Sequence, residues 1–396
     1  SPVKTEKAAG LPPVVIRPKD PKDIQKVEEL YLAGSRIEQF YNPTLNAMDY
    51  YNEALKRDPD DIRTNTAVGN RYLKNGDYQQ ARTYFERAVK RLTKDYTRPS
   101  TCEALYLQGL TLKALGLYDE AEDTLYRATW DYAWHSAAYL ELARISCRKG
   151  DHRKALEQVD ESLATNTRNN SAICLKSSIL RHLGKQKEAN ELISHLVEKD
   201  PLDFRSGNEL YLTVKSSGGS MPAETALEEL KRKMRDSDQN YLELGISYLN
   251  DGFADDAADV FRRFPGKNPI VSYYLGYISD IKGNKEEAAR YFKDGSALQV
   301  DYVFPFRLET VNVLKKVAAY FPEDARPWYY LGNLLYDKQP GKAIEAWENA
   351  VRLDPSLAIA HRNLGWGYYH NLGDGIKAIS EYEKAIKKKK DDPLYY

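Results

Sequence analysis

The chain has 396 residues and a formal net charge of +0, because 58 lysines and arginines balance 58 aspartates and glutamates. A neutral chain is a poor candidate for binding nucleic acid or an anionic membrane, and no apolar run approaches the ~18 residues of a membrane span. The three cysteines form no CxxC pair, which argues against a disulfide framework or a zinc site and fits a reducing compartment. We expect a cytoplasmic protein without metal, cofactor, nucleic-acid partner or membrane span, although an export signal ahead of Ser1 stays open.

The first 22 residues are rich in proline and lysine and show no apolar periodicity, so we predict an extended linker over residues 1–22. From Asp23 onward a helical period dominates, and glycines and prolines interrupt it at regular intervals. Such regular interruptions indicate an internal repeat.

The repeat is visible as glycine, aromatic and alanine positions that recur with the same internal spacings, and Ala155 and Ala189 lie one 34-residue period apart. Two successive examples are Gly69, Tyr72, Gly76, Tyr78, Ala81, Phe85 and Ala88, followed by Gly109, Leu112, Gly116, Tyr118, Ala121, Leu125 and Ala128. The small residues suit the crossing point of two helices, and the second glycine suits a left-handed cap on the first helix.

This pattern resembles the tetratricopeptide repeat (TPR). The resemblance implies an all-α fold, an α-solenoid of about nine to ten TPR-like helical hairpins forming a right-handed superhelix. We predict a TPR array over 23–300, with a degenerate repeat at 202–238 that contains the SSGGSMP stretch, and an irregular seam helix over 301–324. A C-terminal TPR pair and a basic tail complete the chain over 325–396.

Four segments are similar to one bacterial family of two-part proteins, in which a β-rich, carbohydrate-enzyme-like domain of unknown function precedes a C-terminal TPR array. They are the segments 29–40, 127–151, 304–314 and 361–374. The resemblance implies that residues 1–22 join two domains and that this chain is the helical half of a longer protein. It brings no catalytic residue with it.

Motifs for chemistry are missing from the sequence. There is no GxxxxGK[ST] phosphate loop, HExxH or GxSxG, and the "GWG" at Gly365–Gly367 has His370 where a dinucleotide fingerprint needs a third glycine. Acidic residues expected to face a groove are Glu141, Glu243, Asp280 and Asp337, and a glycosidase-type pair among them is an alternative. We predict that this chain is not an enzyme and has no catalytic or metal-binding residue; the activity of a longer parent protein stays open.

The TPR resemblance places defined positions of each first helix on a concave groove. In the middle of the chain these positions are mixed, and include Leu140, Arg144, Cys147, Arg148, Cys174, Arg181 and His182. Towards the C-terminus they are aromatic and polar, and predict a ligand groove formed by Tyr273, Tyr277, Arg326, Tyr329, Asn333, Tyr336, Arg362, Trp366, Tyr369 and His370.

Tyrosines interleaved with arginine and asparagine suit an extended peptide or a glycan, and they also suit plain packing between repeats. Two functions therefore stay open. The first is a non-catalytic scaffold that binds a protein or peptide partner, its own missing N-terminal domain or a second copy. The second is the carbohydrate-binding or substrate-positioning half of a carbohydrate-active enzyme.

A second aromatic cluster, "TWDYAWH" at 129–135, lies between two hairpins in the repeat register. We interpret Trp130 and Trp134 as turn residues whose indoles plug the junction between repeats, rather than as a binding site.

Overall fold

The structure is a computed structural model that describes residues 16–40, 44–217 and 222–389. These residues form 21 α-helices and no β-strand, so the predicted all-α fold of consecutive helical hairpins is confirmed. Pro21–Asp23 is a short 3-10 helix. Much of the predicted linker (1–15), the middle of the SSGGSMP stretch (218–221) and the end of the basic tail (390–396) lie outside the described residues.

The chain divides into two compact units, residues 1–117 and 118–396. The helices of the first unit are α1 (Val27–Gln39), α2 (Ala47–Arg57), α3 (Ile62–Lys74), α4 (Tyr78–Leu92) and α5 (Glu103–Ala114). Helix α1 pairs with α2 and α3 pairs with α4, while α5 packs against α4. No described helix of the chain is long and apolar enough to cross a membrane.

The second unit begins with α6 (Tyr118–Ala128), α7 (Tyr132–Arg148), α8 (His152–Thr165), α9 (Asn170–His182), α10 (Gln186–Lys199), α11 (Phe204–Ser217) and α12 (Ala223–Met234). It continues with α13 (Asp238–Asn250), α14 (Ala254–Arg262), α15 (Pro269–Ile281), α16 (Lys285–Ser296), α17 (Thr310–Tyr320), α18 (Arg326–Leu335), α19 (Pro340–Leu353), α20 (Ala358–Leu372) and α21 (Gly375–Lys388). The hairpins of this unit are α7/α8, α9/α10, α11/α12, α13/α14, α15/α16, α18/α19 and α20/α21.

Small residues let the two helices of a hairpin cross closely, as the repeat pattern predicts. In the α13/α14 hairpin a Cβ on Gly245 would lie 2.3 Å from Cε1 of Phe261, and Ala257 is fully buried. Turn glycines end the first helix: Gly76, with a φ of 76°, follows α3, and the Asp77 N–H donates to the carbonyl of Tyr72 at 2.9 Å. A left-handed residue at this position favours glycine.

The seam between α16 and α18 departs from the hairpin pattern. Residues 303–307 have no regular secondary structure, and α17 packs on α15 and α18 without a helical partner directly before it. The hydroxyl of Tyr274 on α15 hydrogen-bonds to that of Thr310, the first residue of α17, at 2.9 Å. This contact attaches α17 to the preceding hairpin.

The aromatic segment 129–135 differs from its prediction. Helix α7 already begins at Tyr132, so Trp134 lies in its first turn and not in the connection, where only Trp130 remains. Asp131 caps the helix, since its side chain accepts a hydrogen bond from the Ala133 N–H at 3.1 Å. Trp130 is 46% exposed and Trp134 is half-buried, so the interpretation of the two indoles as a plug between repeats is not confirmed.

Candidate functional site

The predicted groove residues fall into two groups in the structure, and two tyrosines require a correction. Tyr273 and Tyr329 are 0% and 3% exposed, so the prediction that they face a ligand is wrong. Each packs at the centre of the α15–α18 region, where both rings contact Tyr330. The Tyr273 hydroxyl also hydrogen-bonds to that of Ser296 at 3.0 Å. Both tyrosines stand three residues before a crossing glycine, Gly276 or Gly332, and at this repeat position both rings turn towards the neighbouring hairpin instead of the groove.

Exposed aromatic side chains meet instead on α20 and the end of α18. The Trp366 and His370 rings are 3.8 Å apart between centroids, and Tyr369 meets His370 edge-on at 4.9 Å. The Tyr336 hydroxyl, which follows α18, lies in hydrogen-bonding contact with the Trp366 side chain. We call Tyr336, Trp366, Tyr369 and His370 the aromatic patch.

The "GWG" sequence explains why the Trp366 indole faces outward. A Cβ on Gly365 would lie 3.1 Å from the carbonyl oxygen of Ala378 on α21. A Cβ on Gly367 would lie 2.9 Å from Cγ1 of Ile344 on α19. Helix α20 therefore packs closely on α21 at Gly365 and on α19 at Gly367. Trp366, which lies between these two glycines in the sequence, is 48% exposed. These glycines serve helix packing and not dinucleotide binding.

Partly buried hydrogen bonds hold the base of the aromatic patch in place. The carbonyl oxygen of the Asn333 side chain accepts from the indole N–H of Trp347 at 3.0 Å and from the side-chain amide of Asn363 at 2.8 Å. Tyr336 packs on the Trp347 ring at 5.3 Å between centroids. The Asn333 side chain therefore connects α18 with α19 and α20 through these hydrogen bonds, although the sequence suggested a ligand contact.

The remaining predicted residues lie at the border of the patch or away from it. Tyr277 and Arg362 are half-buried, and Arg362 lies near Tyr382 of α21. Arg326 is the first residue of α18 and faces Asp324 at 3.7 Å, in the seam. Exposed apolar side chains follow the patch along the chain, at Leu372, Ile376 and Ile379.

The middle of the predicted groove is filled by charged side chains. Arg144 of α7 contacts Glu141 at 2.5 Å and Asp251 at 2.9 Å, and Asp251 also contacts Arg205 at 3.0 Å. Arg181 of α9 bridges Glu209 and Asp256, at 3.1 and 2.6 Å. We call these seven residues the charge network. It joins α7, α9, α11 and α14 to the end of α13.

Glu209 lies at the centre of this network and is fully buried. Its Oε1 accepts hydrogen bonds from the hydroxyls of Tyr248 and Ser178, at 2.6 and 2.8 Å. Burial opposes ionisation, but the guanidinium groups of Arg181 and Arg205 outweigh it and lower the pKa of Glu209. A buried carboxylate with two arginines is satisfied in its charged form and has a structural role here.

Close backbone contact also shows that the central hairpins meet across the groove. The Arg148 guanidinium donates to the carbonyl of Leu249 at 2.9 Å, although 101 residues separate them. Gly252, with a φ of 92°, lies so close that a Cβ there would be 2.7 Å from the Arg148 backbone nitrogen. The sequence analysis did not identify Arg205, Glu209 and Asp251 as ion-pair partners of the groove arginines. The signal that could have indicated the first two is the polar "RSGNE" run (205–209) at the start of α11.

The acidic groove residues mostly belong to ion pairs. Glu141 contacts Arg144 and Glu243 contacts Arg307 at 2.9 Å, whereas Asp337 is exposed. Asp280 contacts Lys285 at 2.5 Å and Lys316 at 3.1 Å. Within the described ranges no group of three or more His, Cys, Asp or Glu side chains could hold a metal ion.

We predict that Asp280 makes stability depend on acid pH. Burial would raise its pKa, but hydrogen bonds from Lys285, Tyr320 and Lys316 outweigh burial and lower the pKa from 3.8 to about 2. A lowered folded-state pKa stabilises above the unfolded value and loses this contribution as the pH falls between about 4 and about 2. Urea denaturation over a pH series should show that Asp280→Asn is less stable at neutral pH and loses less stability on acidification. Parallel acid branches for the two proteins would contradict this role.

Comparison with known proteins agrees with the repeat pattern. Two family models described as tetratricopeptide repeat match the chain, one at residues 60–129 and the other at 242–295 and 338–393. The chain therefore contains tetratricopeptide repeats.

Solved structures include similar chains at low identity. A tetratricopeptide repeat protein from Parabacteroides merdae is 16% identical with a TM-score of 0.43, over 65% of this chain and 98% of that one. A structure described as Naa15/Naa10 bound to HypK-THB is 18% identical with a TM-score of 0.34, over 93% of this chain and 54% of that one. Pseudomonas aeruginosa pilF is 18% identical with a TM-score of 0.33, over 50% and 92%.

Proposed function

We propose that this chain is a non-catalytic scaffold that binds a protein or peptide partner through the aromatic patch. The observation that carries the proposal is the exposure of Trp366, Tyr369 and His370 on one face of α20, above a base held by partly buried hydrogen bonds. Rigid aromatic rings lose little conformational freedom on binding and contribute strongly to protein interfaces. The tetratricopeptide repeats support a role in protein interaction.

The charge network supports placing the partner at the C-terminal end of the array. Because Arg144 and Arg181 are already paired across the central hairpins, a ligand there would have to break ion pairs before it could bind. Among the described residues, no such ion pair covers the aromatic patch. The bacterial family that the sequence resembles suggests one partner, the β-rich domain that would precede residue 1 in a longer protein.

A carbohydrate-related role is the second function that the sequence leaves open. The exposed indole of Trp366, which lies beside the tilted imidazole of His370, offers a flat face of the kind on which a sugar ring can rest. The aromatic patch makes the two functions experimentally separable, because the same substitutions can be tested against proteins and against glycans.

We predict that Trp366→Ala weakens partner binding by roughly tenfold or more, because a central aromatic contact of an interface is typically worth over 1 kcal/mol. The partner would be captured by pull-down beside a glycan array, and affinities measured by titration calorimetry. Phe304→Ala is the matched control, since Phe304 is 73% exposed and lies outside the patch. Tyr329→Ala is unsuitable, because loss of this buried ring would destabilise α18.

Equal affinity of Trp366→Ala and the unchanged chain for every captured partner would contradict the proposal. Glycan binding that is lost with Trp366→Ala, without any captured protein, would favour the carbohydrate function. Size-exclusion chromatography with light scattering would identify the case in which the partner is a second copy of this chain.

A further inference from the structure

A large cavity lies at the seam and shares no residue with the aromatic patch. Its volume is about 850 Å³, and it is formed by the last turn of α16, residues 297–301, the segment from Tyr320 to Arg326 and the connection between α19 and α20. We call it the seam pocket. Helix ends and connections form it, whereas helix α20 and the end of α18 carry the aromatic patch.

The irregular seam accounts for the pocket. Since α17 has no helix directly before it, the chain between α16 and α17 crosses this region as a connection and leaves space beside the start of α18. The apolar part of the lining comes from Leu298, Val300, Phe321, Pro322, Ala325 and Leu357. A space of this size and lining is typical of ligand-binding clefts, which range over about 300–1,000 Å³.

Charge around the seam pocket is unevenly distributed. Four carboxylates and two cationic groups line it, those of Asp301, Glu323, Asp324, Asp354, Lys293 and Arg326. Arg326 is paired with Asp324, which also caps α18 by accepting the Arg326 backbone N–H at 3.0 Å. The other charged residues of the lining are three carboxylates and one cation, Lys293, and Asp354 among them accepts hydrogen bonds from Ser356.

One contact shows that the rim accepts a cation from outside the lining. The ammonium group of Lys389, which follows α21, lies 3.5 Å from Oδ2 of Asp301. Both side chains are about two-fifths exposed, so the contact is weak and open to exchange with another cation.

We infer that the seam pocket binds a short peptide segment in which lysine or arginine stands beside hydrophobic side chains. The apolar lining holds the hydrophobic side chains, and Asp301, Glu323 and Asp354 attract the cationic ones. The volume exceeds what an ion or a single small amine requires, which favours a peptide over a free polyamine. This site goes beyond the scaffold function proposed above, because its surface and its ligand charge are different.

The test begins with selection from a library of random hexapeptides on the full chain, followed by fluorescence anisotropy with the enriched peptides. Ala297→Trp fills the pocket: Ala297 is exposed at the end of α16 with φ −80° and ψ −12°, which any L-residue tolerates. Glu323→Lys reverses an exposed lining charge. Trp366→Ala is the control, since it alters only the aromatic patch.

The expected result is enrichment of peptides that combine lysine or arginine with hydrophobic residues. Ala297→Trp should weaken their binding about tenfold and Glu323→Lys severalfold, while Trp366→Ala leaves it unchanged, and added salt should weaken the charge-dependent part. Circular dichroism would check that each variant is folded. Enrichment of acidic or uncharged peptides, no enrichment, or binding that survives Ala297→Trp would overturn the inference. Loss with Trp366→Ala alone would assign the peptides to the aromatic patch instead.

Discussion

Glu209→Gln is expected to lower the free energy of unfolding of the central hairpins by about 3–5 kcal/mol, the usual cost of removing one partner from a buried ion pair. The substitution keeps the shape of the side chain but removes the charge that faces Arg181 at 3.1 Å. The Arg181 and Arg205 side chains are each only 11% exposed, so water cannot replace the lost carboxylate. The penalty therefore arises from two guanidinium groups left with less compensating charge.

Urea denaturation followed by circular dichroism measures this loss. Hydrogen exchange of α9, α11 and α13 then locates it, because repeat arrays do not always unfold in one step. The control is Lys282→Ala, which removes a contact with Asp255 between side chains that are 44% and 80% exposed. An exposed pair of this kind contributes about 1 kcal/mol or less. Equal small effects of the two substitutions would contradict a stabilising charge network.

Gly332→Ala is expected to destabilise the α18/α19 hairpin by about 1–3 kcal/mol, the usual cost of overpacking. A Cβ at this position would lie 2.3 Å from Nε1 and 2.4 Å from Cδ1 of Trp347. The Trp347 side chain is 3% exposed and its indole N–H donates to Asn333, so the ring cannot move without breaking that hydrogen bond. Near-ultraviolet circular dichroism should report the displaced indole, and thermal denaturation the loss of stability.

Gly341→Ala in the same hairpin is the matched control. Gly341 lies in the first turn of α19, and a Cβ there meets nothing within 4 Å. Alanine is about 0.5–1 kcal/mol better than glycine inside a helix, so this change should be neutral or stabilising. Replacement of glycine by alanine is thus expected to lower stability at Gly332 and to leave it unchanged or raise it at Gly341, nine residues further on. A loss of stability at Gly341, or none at Gly332, would contradict the packing argument.

Gly332→Ala also tests how the aromatic patch is built. Asn333 joins the Trp347 indole to the Asn363 amide, and Tyr336 rests on the Trp347 ring. Displacement of the Trp347 indole should therefore shift Tyr336 and Trp366, so that Gly332→Ala lowers both the affinity for the partner and the stability of the hairpin. Trp366→Ala should lower the affinity without lowering the stability. The two variants therefore distinguish residues that support the aromatic patch from residues that contact the partner.

The candidate site could be predicted only in part, because the register placed several positions of each first helix on the groove and the side chains at some of them are buried. Trp366, Tyr369 and His370 are exposed, and their assignment to a ligand groove stays a prediction. Tyr273 and Tyr329 occupy a different repeat position, three residues before the crossing glycines Gly276 and Gly332, and turn into the packing beside Tyr330. A tyrosine has both an apolar ring and a polar hydroxyl, and only its neighbours decide which environment it occupies.

The sequence by itself determined the local architecture of this protein. Glycine at the helix crossings, left-handed glycine at the turns and the helical period follow from steric limits between near neighbours, and such limits act identically in every repeat. The tertiary structure alone decided where the groove is filled. Arg144 and Asp251, or Arg148 and Leu249, meet across more than 100 residues because of how successive hairpins turn, and small rotations accumulate over several repeats. The accumulated rotation cannot be read from the sequence of any one repeat. The charge network and the seam pocket could therefore be identified only from the tertiary structure.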